Sequence, residues 1–471
     1  MNDTRALLNR IAAVRDRLGH AHEILHEAET PPTSAKRTIV YTAKAQRLVD
    51  ESLQQVAKPQ RRAKSKPVQL TNRVRACAER CRDVIDCLRQ LQPSDDESAI
   101  AAAHRRCIAM THSAVRLIQN CPESTSEQIR LGGALEALLD SLDEHLARLS
   151  EAVVTDRCNE QFIERLSHAY AVLGGGDMFA LDLFLELASA IEQDARAGKP
   201  LKILLPGPIS VATDAEVGRA WQLRLLATHA LNTAQVAARI VRNFPGSSDQ
   251  GVPAIIAALL HDVGLVVTPF ALLAQPGRIT GEQMREIEAH AVRSAEIVAQ
   301  QIPQAAPLAD GIRQHHERLD GSGYPCTDRS PSHLARIIAV ADTYAALRAP
   351  RQYRDALDPR AAMIELMLAA QRGSFDSEVV AALRKLGFYP PGCVVELNDG
   401  RLGAVVAVHS DPNEPELPAQ AVIAQLTDAE GECLCTPSCV DLGVDVTCAI
   451  NRALAHDERM ERLGEHYPQL V

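Results

Sequence analysis

Apolar side chains at helical spacing mark most of this chain. Leu7, Leu8, Ile11, Val14 and Leu18 form one such stripe, and Val74, Cys77, Cys81, Ile85 and Leu88 form another. Stripes of this period predict helices that bury one face. The segment LGGALEALLDSLDEHLARLSEAVV from Leu131 repeats the pattern after STSEQ, which reads as a helix start. PPTS at 31–34, the basic KPQRRAKSKP at 58–67 and QPSDDES at 92–98 separate the helices. The basic run reads as a solvated linker. GGGD at 174–177 lacks the Lys-Ser/Thr and the preceding strand of a phosphate loop, so it reads as a hinge. KILLPGPISV, 202–211, predicts a short strand and turn. From about Asp214 to Leu386 the helical period returns, with histidines and acids now set into apolar faces. After FYPPG at 388–392 the period changes. CVVELNDGRLGAVVAV places β-branched runs on both sides of Asn398-Asp399-Gly400, a tight-turn signal. AQAVIAQL adds a further strand, and a polar helix follows. The expectation is a mainly α protein in three parts: a helical region 1–200, an all-helical domain 201–387, and a small β module with a C-terminal helix, 388–471.

Composition narrows this picture. A chain of 471 residues is too long for one core and suits about three domains. Hydrophobic residues make up 46% but aromatics only 3%, so the cores must be aliphatic. A net charge of -10 and a pI near 5.9 argue against DNA as a partner. The first twenty residues are charged throughout and do not form a signal peptide. The best apolar run is Ala254–Leu260, far short of the roughly 20 residues that span a bilayer. No membrane insertion and a cytoplasmic location are therefore expected. Cys77, Cys81 and Cys87 read as buried thiols, and Cys433, Cys435 and Cys439 lack a standard zinc spacing.

The chemistry concentrates in the middle third. His229 lies in ATHALNTAQVA, His261-Asp262 in ALLHDVGL, His290 in EIEAHAVRSAEIV, His315-His316 in HHERLDGSGYP and Asp342 in LARIIAVADTYAAL. A buried ionised aspartate costs several kcal/mol unless it is paired or bound to a cation. Asp342 has no local partner in its Ala/Ile/Val helix and needs one from elsewhere. One histidine on an apolar face is ordinarily a satisfied core group. Five histidines and two aspartates in this arrangement are enough to hold two divalent metals with one carboxylate shared. Two metals about 3.5–4 Å apart suit phosphoester hydrolysis.

The ordered series HDVG, HHERLDGSGYP and RIIAVADTYAAL, with TPFALLAQPGRITGEQMREIEAHA between the first two, resembles the HD-GYP domain of the HD phosphohydrolases. The likeness covers roughly residues 214–385. It implies an all-helical domain with a two- or three-metal centre, usually iron or manganese, that hydrolyses cyclic di-GMP to linear pGpG or on to GMP. It implies that His261 and Asp262 are the catalytic pair and that His229, His261, Asp262 and Asp342 hold one metal. Asp262 would bridge to a second metal on His290, His315 and His316. Arg351 and Arg354 of RQYR match positions that contact phosphate, and Gly323-Tyr324-Pro325 would form the lip of the nucleotide pocket.

Three departures qualify the resemblance. Leu265 replaces the lysine of HDxGK, Leu225 replaces a glutamate that serves a third metal, and Ala345 replaces an acid. Two metals rather than three are expected, and Arg348 is the nearest sequence candidate to stand in for the lysine. The implied function is a phosphodiesterase for cyclic di-GMP or a related cyclic dinucleotide in bacterial signalling. The alternatives are a catalytically degenerate domain that binds metal and nucleotide and signals through protein contacts, and a hydrolase for another phosphoester. The N-terminal helices read as a regulatory or dimerising region. A diguanylate cyclase or another signalling protein is the partner class that accompanies this reading.

Overall fold

The computed structural model describes residues 72–91, 98–121, 124–206, 215–244, 251–273, 275, 279–327, 330–350, 355–409, 419–445 and 447–471. The predicted stripe at Leu7–Leu18, the basic run 58–67, and Arg351 and Arg354 lie outside them. In chain order the helices are α1 (Asn72–Gln90), α2 (Ala99–Gln119), α3 (Thr125–Gly174), α4 (Asp182–Arg196), α5 (Ala215–Asn243) and α6 (Gly251–Leu260). They continue with α7 (Phe270–Leu273), α8 (Gly281–Glu288), α9 (His290–Gln301), α10 (Ala309–Arg313), α11 (His333–Arg348), α12 (Pro359–Gln371) and α13 (Ser377–Arg384). Strands β1 (Val394–Leu397), β2 (Leu402–His409), β3 (Gln420–Thr427), β4 (Cys433–Asp441) and β5 (Ile450–Ala453) follow, and then α14 (His456–Leu463). The protein is mainly α with a small C-terminal antiparallel sheet, as its hydrophobic pattern predicts. Among the described residues no helix is long and apolar enough to cross a membrane.

The chain forms two compact units. One combines the described residues up to Arg157 with His456–Val471. Its core is the predicted stripe Val74, Cys77, Cys81, Ile85 and Leu88 packed with Cys107, Val115, Leu135, Leu139 and Leu142. Ser98 caps α2, its hydroxyl accepting from the Ala101 N–H at 3.1 Å. Tyr467, fully buried, lies under the Arg148 guanidinium at 4.6 Å.

The other unit is Cys158–Ala455. Helix α6 reads GVPAIIAALL and is buried on nearly every side, so it forms the centre of an aliphatic core. Around it lie α5 and α11, the end of α3 through Leu166, Tyr170 and Leu173, and α4 through Phe184 and Leu187. The sheet has the order β4-β3-β2-β1-β5 with every pair antiparallel. The predicted Asn398-Asp399-Gly400 turn joins β1 to β2, with Gly400 at φ 86°.

Two local expectations meet different outcomes. The GGGD segment ends α3 and turns the chain, with Gly176 at φ 91°. The strand expected within 202–211 is absent from its described part, 202–206. There the Leu204 N–H and carbonyl bond to the Asn232 side-chain amide, at 2.8 and 2.9 Å. One amide takes the donor and acceptor that a neighbouring strand would have used.

Candidate metal centre

Each of the seven predicted ligands sits where an element places it beside the others. His229 projects from the middle of α5, and Asp342 from the buried face of α11. His261 and Asp262 follow directly on α6, and Val263–Val267 then form a short 3-10 turn. His290 opens α9, while His315 and His316 follow α10. Adjacent histidines cannot share one face of a regular helix. Because α10 has ended, both rings turn to the same side: their centroids lie 4.0 Å apart.

Asp262 stands at the middle. Its Oδ1 is 3.1 Å from His290 Nε2 and 3.7 Å from His315 Nε2. Its Oδ2 is 3.3 Å from His261 Nε2 and 3.7 Å from His229 Nε2. His229 Nε2 also meets Asp342 Oδ1 at 2.8 Å. His290 Nε2 lies 3.4 Å from His315 Nε2 and 3.2 Å from His316 Nε2. The ligand atoms fall into two groups that could each hold an ion, Asp262 with His290, His315 and His316, and Asp262 with His229 and His261. One carboxylate belongs to both.

The ring orientations explain what this cluster is built to receive. Nδ1 of His261, His290 and His315 faces the carbonyl three residues earlier, Ala258, Ile287 and Ile312, at 2.8, 2.7 and 2.5 Å. A carbonyl only accepts, so Nδ1 carries a proton and Nε2 is the atom directed inward. Burial, first, lowers the pKa of His315 and His316 and keeps those rings neutral. Burial pushes the Asp262 and Asp342 carboxyls up, but His261 and His290 around Asp262, and His229 and His261 around Asp342, hold both well below the usual range. Burial works against the charged form of His261 and His290 too, but the Asp262 carboxylate outweighs it and raises both. Two ionised carboxylates thus stand among the rings, with only His315 and His316 pushed toward the neutral form. His261 Nε2 and Asp262 Oδ1 are buried without a hydrogen-bond partner. The 3.1 Å approach of His290 to Oδ1 is an electrostatic contact that lacks hydrogen-bond alignment. A buried ring nitrogen and a buried carboxylate oxygen without partners are costly unless a cation joins them. The residues present fit divalent metal.

Residues with no motif signature hold the ligand segments in place. The carbonyls after Asp262 are bonded from α5: Gln222 Nε2 donates to Leu265 and Thr268 at 2.8 and 3.0 Å, and Arg219 donates to Val266. Gly264 lies so close to α9 that a Cβ there would fall 2.4 Å from the His290 carbonyl oxygen. Its N–H donates to Ser294 Oγ at 2.8 Å. On the other side, Arg318 donates to the His315 and Glu317 carbonyls at 3.3 and 3.0 Å and stacks over Phe375 at 4.6 Å. Ser374 anchors the same segment through the Leu319 N–H and Asp320 Oδ2. Sequence spacing gave no signal for these contacts, since all but the Arg318 carbonyl bonds join residues far apart in the chain.

Gly323-Tyr324-Pro325 packs against the His315-His316 segment. The Tyr324 ring stacks on His316, centroids 4.6 Å apart at 29°, and the Tyr324 N–H donates to the His316 carbonyl at 3.2 Å. Gly323 packs against the same stretch, where a Cβ would meet that carbonyl oxygen at 2.3 Å. Pro325 follows through a cis peptide bond. Leu265 is half-buried against the core, Leu225 half-buried on α5 and Ala345 buried on α11. Arg348 donates to the Leu357 carbonyl.

Residues 216–379 match the family model described as HD domain. Cyclic di-GMP phosphodiesterase PA4108 of Pseudomonas aeruginosa is 35% identical over 157 residues, which are 33% of this chain and 37% of that protein. The 3'3'-cGAMP-specific phosphodiesterase 3 of Vibrio cholerae is 37% identical over 131 residues, 27% of this chain and 28% of that one. The response regulator RpfG of Xanthomonas campestris, a cyclic di-GMP phosphodiesterase, is 37% identical over 143 residues, 29% and 37% of the two chains. The chain thus spans well under half the length of each of these relatives.

Proposed function

We propose, from the premise that residues 216–379 are an HD domain of the HD-GYP kind, that this chain is a metal-dependent phosphodiesterase for cyclic di-GMP or a related cyclic dinucleotide. The observation that carries the proposal is the sharing of Asp262 between two ligand groups, with His261 Nε2 and Asp262 Oδ1 left bare. His229, His261, Asp262 and Asp342 would hold one cation, and Asp262, His290, His315 and His316 the other. Iron or manganese suits this mixture of imidazole and carboxylate. Bound there, two such cations supply Lewis-acid charge to the phosphodiester and lower the pKa of water.

The chain's own groups supply the rest. Asp262 stays ionised and keeps its two oxygens directed at separate ligand groups. The Nδ1–carbonyl bonds of His261, His290 and His315 prevent those rings from rotating. Gly323, Tyr324 and Pro325 would border the nucleotide, with the Tyr324 ring already fixed against His316. Arg351 and Arg354 would meet the phosphates as planar donors. The products would be linear pGpG or GMP, and the reading implies a role in bacterial signalling in the cytoplasm.

Leu265 favours a second reading, in which the domain binds metal and nucleotide without turnover. A cation absent from the transition state can cost 10²–10³ in rate. Incubating anaerobically prepared, Mn- or Fe-loaded protein with cyclic di-GMP and separating the products decides between the two. Conversion that disappears in Asp262→Ala supports the enzyme, whereas two bound metals without conversion supports the binding domain.

A further inference from the structure

Tyr170 lies on the last turns of α3, fully buried in the core of the unit Cys158–Ala455. Its hydroxyl donates to the carbonyl of Leu259, two residues before His261. The last four carbonyls of any helix have no intrahelical N–H partner. At the end of α6 two consecutive ones are closed by side chains, Ala258 by His261 Nδ1 at 2.8 Å and Leu259 by Tyr170. The direction in which His261 and Asp262 leave the helix therefore depends on what holds these two oxygens. One turn further along α3, a Cβ on Gly174 would fall 2.4 Å from Val266 Cγ1. The same helix thus meets the chain on both sides of His261-Asp262.

We infer that Tyr170 is a positioning residue for the metal-holding pair His261-Asp262, fixing the end of α6 from beneath while Gly174 seats the turn that follows. The inference rests on the metal reading above. Nothing in the HD motifs contains Tyr170, which precedes His261 by 91 positions.

The test uses the full chain and Mn²⁺ alone, titrated and counted by electron paramagnetic resonance. Four proteins are compared: the natural sequence, Tyr170→Phe, Asp262→Ala, and Leu187→Val, a truncation elsewhere in the same core. Tyr170→Phe removes one oxygen and leaves the Leu259 carbonyl buried without a donor. It is expected to bind Mn²⁺ about tenfold more weakly, as losses of groups that support metal ligands do. Leu187→Val, although destabilised, is expected to keep the natural affinity. Natural affinity in Tyr170→Phe, or an equal loss in Leu187→Val, overturns the inference while leaving the metal reading intact if Asp262→Ala loses Mn²⁺. Natural binding in Asp262→Ala overturns both.

Discussion

Replacing Gly264 by alanine is a severe test of how the centre is held, because it changes no ligand. The added Cβ would stand 2.4 Å from the His290 carbonyl oxygen, 2.7 Å from the Ser294 nitrogen and 2.9 Å from Ser294 Oγ. Two of these atoms are backbone, so rotating a side chain cannot relieve the contact. Reaching ordinary van der Waals separation requires the 3-10 turn and α9 to part by about 1 Å. That seam joins Asp262 to His290, and metal–ligand distances tolerate only about 0.2 Å. Overpacking of this kind costs about 1–3 kcal/mol, and weakening the Gly264 N–H bond to Ser294 adds about 1 kcal/mol. The expected result is a lower thermal midpoint together with a 10–100-fold loss in affinity for Mn²⁺. Paired thermal unfolding and Mn²⁺ titration check it. A variant with the natural midpoint and the natural affinity would refute the claim that this close approach sets the geometry.

Two further outcomes follow from particular residues. Leu265→Lys sets a cation three residues after Asp262 and, if the chain is the proposed phosphodiesterase, should raise turnover of cyclic di-GMP at least tenfold without changing the number of bound metals; an unchanged or lower rate in steady-state assays counts against Leu265 as the limiting residue. In the unit containing His456–Val471, burial, then Arg106, His145 and Arg148, push the His466 pKa from 6.5 down to about 4. The neutral ring is the folded form, so its contribution is complete above pH 6.5 and is lost as pH falls from there toward 4. Thermal melts of this unit should show a midpoint falling below pH 6.5, and His466→Asn should flatten that slope; an equal slope in the variant excludes His466 as the cause.

The helical character and the seven residues that cluster were legible because each has a local sign. Helical periodicity marked α1 down to Val74, Cys77, Cys81, Ile85 and Leu88, all of which are buried. His229, His261, Asp262, His290, His315, His316 and Asp342 stood out as titratable groups on apolar faces, and the structure brings all seven together. The full extent of α3 was not legible, since the polar residues after Val154 neither break a helix nor announce one. The strand expected in KILL failed because an apolar tetrapeptide says nothing about whether a neighbouring strand or the Asn232 amide will take its hydrogen bonds. Tyr170, Arg219, Gln222 and Ser294 escaped notice for a related reason. Their types and spacings are ordinary, and only the folded chain brings them to the carbonyls and N–H group beside the ligands.

The central claim is that one carboxylate joins two metals. Electron paramagnetic resonance of the Mn²⁺-saturated protein measures this directly. The account predicts two ions per chain giving an exchange-coupled signal, which collapses in Asp262→Ala. One ion per chain, or two that remain magnetically independent in the natural protein, would contradict it.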